Sequence, residues 1–163
     1  YAPLVNYADH TFGVCKKMLD DKNAILGLGD GGAHVGFILD AGYPTWLISY
    51  WSVKQKAYSM EETVRRLTSD TANAAGLNDR GLLKVGLKAD INIIDWENVG
   101  SSDPFMTQDL PAGGKRLMQH TKGYVATIVS GKVTYKNGQF TKERPGTVVK
   151  SVKDEEKTLE FIN

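Results

Sequence analysis

The chain has 163 residues, enough for one ordinary domain or for a small domain plus part of another. Its 20 basic and 19 acidic residues are interleaved and leave a formal charge of +1, so there is no long-range field to steer nucleic acid or an anionic membrane. Hydrophobic residues make up 41%, which supports a packed core, and no apolar run reaches the length of a membrane span. The start, Tyr1-Ala2-Pro3-Leu4, has neither the basic nor the apolar region of a secretory signal and no Met, so the chain is expected to begin within a longer protein. Cys15 is the single cysteine; it rules out an intrachain disulfide or a multi-cysteine zinc site, and a cytoplasmic location is expected.

Periodicity changes near residue 80, from mostly helical to mostly strand and turn. Asp9 is placed to cap a helix with Phe12, Cys15, Met18 and Leu19 near one face, ended by the polar run Asp20-Asp21-Lys22-Asn23. Residues 24–29 are apolar without alternation, which predicts a short strand buried on both faces with Asp30 at its C-terminal tip. Pro44 opens a second helix carrying Trp46, Leu47, Tyr50 and Trp51. Ser59 and Glu62 have capping-box spacing for a third, through Val64 and Leu67. A short fourth starts at Ser69-Asp70-Thr71 and ends at Gly76. Strands are expected over 89–94, 124–129 and 133–135, with Gly131 in a turn and Asn137-Gly138 leading tightly into Gln139-Phe140-Thr141. The stretch 100–123, with Pro104, Pro111 and Gly113-Gly114, reads as a long irregular loop of the kind that is functional or packs elsewhere. The charged tail 153–163 reads as a terminal helix or a frayed end.

The chemically suggestive segment is Gly27-Leu28-Gly29-Asp30-Gly31-Gly32-Ala33-His34. A carboxylate delivered by a buried strand into a glycine-rich turn is how barrel enzymes present a ligand or general base. The plainer reading makes Asp30 a turn residue held by local hydrogen bonds. The segment also fits G-x-G-x-x-G, but Asp30 would set a negative charge against a pyrophosphate, and neither Tyr50 nor Trp51 supplies the ribose-binding acid. A nucleotide site is therefore rejected. His34 is a ligand, a substrate anchor or an exposed histidine; its spacing from Asp30 does not decide. His10, His120 and Cys15 read as structural, as do Tyr43, Trp46, Tyr50 and Trp51 on their helix. Lys115 and Arg116 read as a solvated loop pair, and Asp90 and Asp95 as caps of the strand between them.

Two further stretches, Thr68 through Leu77 and Asp79 through Asp95, with Gly86-Leu87-Lys88-Ala89-Asp90 inside the second, resemble the segment that closes the barrel of the amidohydrolase superfamily. Together with the Asp30 segment, Asp109-Leu110-Pro111-Ala112-Gly113-Gly114-Lys115-Arg116, the stretch 123–131 and Arg144-Pro145-Gly146, they resemble the branch containing D-aminoacylases and N-acyl-D-amino-acid deacylases. The likeness runs from about residue 9 to 150. It implies an α/β fold: the C-terminal part of a metal-dependent (β/α)8-barrel hydrolase over 1–80, strands of a small β-sandwich over 81–150, and a charged tail over 151–163.

The resemblance implies that Asp30 stands at the end of the eighth barrel strand, both as a metal ligand and as the catalytic group that takes a proton from water and returns it to the leaving nitrogen. It implies that His34 helps to hold the substrate carboxylate. Zinc is implied for the complete enzyme, while the remaining ligands would precede Tyr1, so this chain is not expected to hold zinc stably or to turn over alone. The implied substrate is an N-acyl-D-amino acid or a similar small molecule. The expected partner is the missing N-terminal part of the enzyme or a second copy, with no nucleic acid and no membrane. The alternative is a noncatalytic β-rich association module.

Overall fold

A computed structural model describes residues 11–27 and 29–149. The first helix, α1 (Gly13–Leu19), starts from Phe12 without a side-chain cap and stops at Asp20, whose carboxylate accepts from Lys16 Nζ at 2.6 Å. The expected capping residue Asp9 and the tail 153–163 lie outside the described residues. Helix α2 (Tyr43–Trp46), with Pro44 in its first turn, runs on into the wider π-helical turns of Leu47–Lys54. The widening shows in Gln55 N–H donating to Tyr50 O at 2.8 Å, five residues back. Helix α3 (Met60–Leu67) begins as its sequence predicts. Ser59 is extended, and its Oγ accepts from Glu62 N–H at 3.1 Å. Glu62 does not reach back to complete a capping box; it accepts from Arg66 Nε and Nη2 at 3.1 and 2.9 Å. Helix α4 (Ser69–Ala74) follows at once and ends before Gly76.

These helices share a core of Leu47, Trp51 and Tyr58, against which Phe12, Cys15, Leu19, Leu26, Tyr50, Ala57 and Leu67 pack. Phe12 meets the rings of Trp46, Tyr50 and Trp51 edge-on at 5.2–6.2 Å, a geometry that aromatic quadrupoles favour. The aromatic residues of 43–51 are therefore packing groups. Cys15 is half-buried in the same assembly.

The strand expected over 24–29 does not form over the described residues 24–27 and 29, and Leu28 lies outside the described residues. Residues 24–27 are mostly exposed, with Ile25 at 58%. Apolar composition alone does not make a strand; a ladder partner is needed, and among the described residues none runs beside this segment. The extended piece comes after Asp30 instead, as β1 (Gly31–His34), exposed along its length.

The second half is antiparallel. Strands β2 (Ile91–Ile94), β7 (Tyr124–Val129), β8 (Lys132–Lys136) and β9 (Gln139–Phe140) form a sheet in the order β2-β7-β8-β9. Its register places Ile91 opposite Ile128 and Ile128 opposite Val133, with a bulge after Thr127 that leaves Thr134 buried and its Oγ1 donating to Thr127 O. Ser130-Gly131 and Asn137-Gly138 all take positive φ, the requirement of two-residue hairpin turns. The stretch expected to be an irregular loop is folded into two small ladders. Strands β3 (Gly100–Ser101) and β6 (Thr121–Lys122) form one, β4 (Phe105–Thr107) and β5 (Arg116–Met118) the other. Thr45 Oγ1 and Tyr124 OH, 2.8 Å apart, connect α2 to the large sheet. No helix among the described residues is long and apolar enough to cross a membrane.

Tyr58 anchors the helical packing. Its hydroxyl donates to Asp20 Oδ1 at 2.8 Å, and the Arg66 guanidinium lies 4.4 Å from its ring centroid. Burial, then the hydrogen bond to Asp20, pushes the phenol from its ordinary 10 up to about 12. The hydrogen bonds from Lys16 and Tyr58 hold Asp20 below the usual carboxylate range. Because the folded phenol binds its proton more tightly, its contribution is intact below pH 10 and drains away as pH rises towards about 12. Tyr58→Phe is expected to cost about 1 kcal/mol in urea denaturation at neutral pH. It should also flatten the loss of stability between pH 10 and 12 seen with Tyr58 present; an unchanged alkaline profile would contradict the assignment.

Candidate functional site

The turn at Asp30 is built from both sides. Asp30 O accepts from Ala33 N–H at 3.0 Å, closing a four-residue turn whose third residue, Gly32, has φ 103°, the place where a type II turn requires glycine. Asp30 N–H donates to Asp40 Oδ2 at 2.7 Å. Asp40 opens a single 3₁₀ turn, Asp40–Gly42, which lies directly against the backbone flanking Asp30. A Cβ on Gly29 would stand 2.9 Å from both Asp40 O and Asp40 Oδ2, and one on Gly31 would stand 2.7 Å from Ala41 Cβ. Glycine on each side is thus what allows the approach. Asp30 itself is exposed, so the turn holds its backbone while the carboxylate faces outward to solvent.

His34 ends β1 with φ 45°, and its carbonyl accepts from Phe37 N–H at 2.9 Å and Ile38 N–H at 3.2 Å. Its imidazole stacks on Phe37, with centroids 5.3 Å apart and planes 18° from parallel. Phe37 is 71% exposed, so the pair forms a flat aromatic surface open to solvent. Immediately after His34, Val35 O accepts from Leu117 N–H of β5 at 2.8 Å. Asp30 and His34 therefore sit on consecutive turns of one short segment, braced by Asp40 on one side and by the β4–β5 hairpin on the other.

Among the described residues no group of three or more His, Cys, Asp or Glu side chains stands together to hold a metal ion. Zinc takes four ligands in a structural site and three protein ligands in a catalytic one. The described residues do not make up such a set, and Asp30 would furnish one ligand at most. His10 lies outside the described residues. His120 packs against Phe105, with ring centroids 4.8 Å apart.

Arg116 is not a free loop cation. It forks onto Asp109 through Nε–Oδ1 at 2.7 Å and Nη2–Oδ2 at 2.6 Å, holding Asp109 below the usual carboxylate range and bracing the hairpin that reaches Val35. Asp90 accepts from Ser130 N–H at 2.8 Å and from Arg80 Nη1 at 3.0 Å, while Asp95 accepts from Asn98 Nδ2. Both are structural. A small cleft lined by Leu19, Ile25, Leu26, Arg65, Arg66 and Asp70, among others, contains neither Asp30 nor His34. Its arginines are engaged, Arg65 with Asp70 and Arg66 with Glu62 and Leu19 O. Asp40 is the residue that sequence reasoning missed. Its signal was faint: an acid ten residues downstream of Asp30, just ahead of Ala41-Gly42.

The amidohydrolase family model matches residues 6–135, and the chain belongs to that family. It is similar to a dihydroorotase of Lactobacillus acidophilus, 33% identical over 89 residues, covering 52% of this chain and 20% of that protein. It is also similar to an N-acyl-D-aspartate deacylase of Alcaligenes xylosoxydans xylosoxydans, 29% identical over 96 residues, covering 59% and 18% respectively. A dihydroorotase of Lactobacillus johnsonii is 33% identical over 89 residues, with 52% and 20% covered. The chain spans about a fifth of the length of these relatives. No solved structure matches it.

Proposed function

We propose that this chain is the C-terminal portion of a hydrolase that cleaves the amide C–N bond of an N-acyl-D-amino acid or a similar compound, with Asp30 as the proton-carrying carboxylate. In this reading residues 1–80 belong to the catalytic barrel and residues 81–150 to a β-sandwich. The observation that carries it is the exposed carboxylate of Asp30 on a turn whose backbone is clamped by Asp40. The similarity to a deacylase supports the substrate class. Amide hydrolysis needs a proton removed from water as oxygen attacks the carbonyl carbon, and a proton placed on nitrogen before the C–N bond breaks. One positioned carboxylate serves both in turn, taking the first proton and delivering it to the departing amine. His34 is the group that would meet the substrate carboxylate in this reading, and its stacking on Phe37 supports it. Zinc belongs to this reading only as a property of the complete enzyme, because the described residues do not assemble its ligands.

In the complete enzyme, Asp30→Asn is expected to lower kcat about a hundredfold or more while the fold is kept, since Asn preserves the shape of the turn. Near-normal turnover would refute the role of Asp30.

The 163-residue chain alone, supplied with zinc, is expected to release no free amino acid from N-acetyl-D-amino acids. Saturable release that Asp30→Ala abolishes would show that the chain is sufficient by itself.

Assembly forms part of the same proposal. Ile25 is 58% exposed, Leu83 85% and Val85 fully, apolar side chains that a partner would cover. The chain is expected to self-associate or to bind the remainder of its enzyme. Sedimentation across a concentration range tests this, and a monomer at every concentration would favour the self-contained association module instead.

A further inference from the structure

We infer that Asp40 is a positioning residue for Asp30: its carboxylate holds the Asp30 peptide N–H and so sets the direction in which the Asp30 side chain projects. The inference rests on the reading of Asp30 as the proton-carrying group, and it adds a second acid whose part is played through backbone rather than substrate. Three observations converge on the contact. Asp40 Oδ2 accepts the Asp30 N–H at 2.7 Å, ten residues away in sequence. The Asp40 backbone leaves no room for a side chain at Gly29, and Ala41 leaves none at Gly31. Asp30 O, the other polar group of the same residue, is taken up by Ala33 N–H at 3.0 Å. Both backbone polar groups of Asp30 are therefore fixed, one by its own turn and one by Asp40.

The chemistry of the contact is that of a charge-assisted hydrogen bond from a peptide N–H to a carboxylate, shorter and stronger than a neutral one. Without it, the turn at Asp30 is held only by its i→i+3 bond. A general base displaced by about 1 Å loses on the order of a hundredfold in rate. Asp40 touches no reacting atom in this scheme. Removing it should reduce kcat and leave KM nearly unchanged, because its effect is confined to the carboxylate that moves the proton.

The experiment is a double-mutant cycle in the complete enzyme, with Asp40→Ala, Asp30→Asn and the two combined. Asp40→Ala is expected to lower kcat about tenfold to a hundredfold. Asp40→Asn, which keeps an oxygen acceptor in place, should recover most of that loss. In the Asp30→Asn background, Asp40→Ala should have little further effect, since the group it positions is already disabled. An additive loss there would show that Asp40 acts elsewhere and would overturn the proposal. So would a normal kcat in Asp40→Ala beside a slow Asp30→Asn, which leaves the base assignment standing. Near-normal turnover in Asp30→Asn would overturn both readings together. Should Asp40→Ala fail to fold, Gly29→Ala probes the contact with Asp40 intact, pressing a Cβ to 2.9 Å from its carboxylate. It is expected to lower kcat with little change in KM, and full turnover in a folded Gly29→Ala enzyme would overturn the proposal.

Discussion

One guanidinium ties together the two ends of the segment that runs from α4 to β2. Arg80 lies just beyond α4 and forks onto Asp79 while its third nitrogen reaches Asp90. Asp90 in turn takes the Ser130 N–H in the β7–β8 turn with its other oxygen. Gly131 N–H donates to Ala89 O beside it. The segment connecting helices to strands is thus fixed at both ends by charge-assisted hydrogen bonds rather than by burial, as Leu82, Leu83 and Val85 within it are exposed. Gly81 admits the close packing of this corner against Ala72 of α4. That geometry gives a physical reason for Asp79, Arg80, Gly81 and Asp90 within the stretch that resembles the amidohydrolase family.

Local rules were legible in the sequence and distant ones were not. The start of α3 could be read from Ser59 because a cap is made within three residues. The hairpin turns at Gly131 and Asn137-Gly138 were equally local, since positive φ is a property of a dipeptide. The strand expected over 24–29 differs for the opposite reason. The apolar composition of that stretch signals burial, yet a ladder depends on a partner from elsewhere in the chain. The ladders of two and three residues within 100–123 are too short to show any period of alternation. The fork of Arg116 onto Asp109 depends on the hairpin that brings them together.

The candidate site divides in the same way. Glycines around Asp30 and the four-residue interval to His34 were visible as a motif, and the family match over residues 6–135 gives that motif its context. What the motif could not supply was the brace. The bond from Asp30 to Asp40 and the hydrogen bond to Val35 each require two pieces of chain to meet. In the folded chain, Gly29 and Gly31 make room for the turn Asp40–Gly42.

The hydrogen bond from Leu117 to Val35 has a mechanical consequence. It is the point at which β5 meets the segment that carries both candidate residues, one position beyond His34. Strand β5 is paired to β4 and stiffened by the bidentate Arg116–Asp109 fork at the residue next door. The β4–β5 hairpin, which bears no candidate catalytic group, thus holds the chain one residue beyond the imidazole that stacks on Phe37.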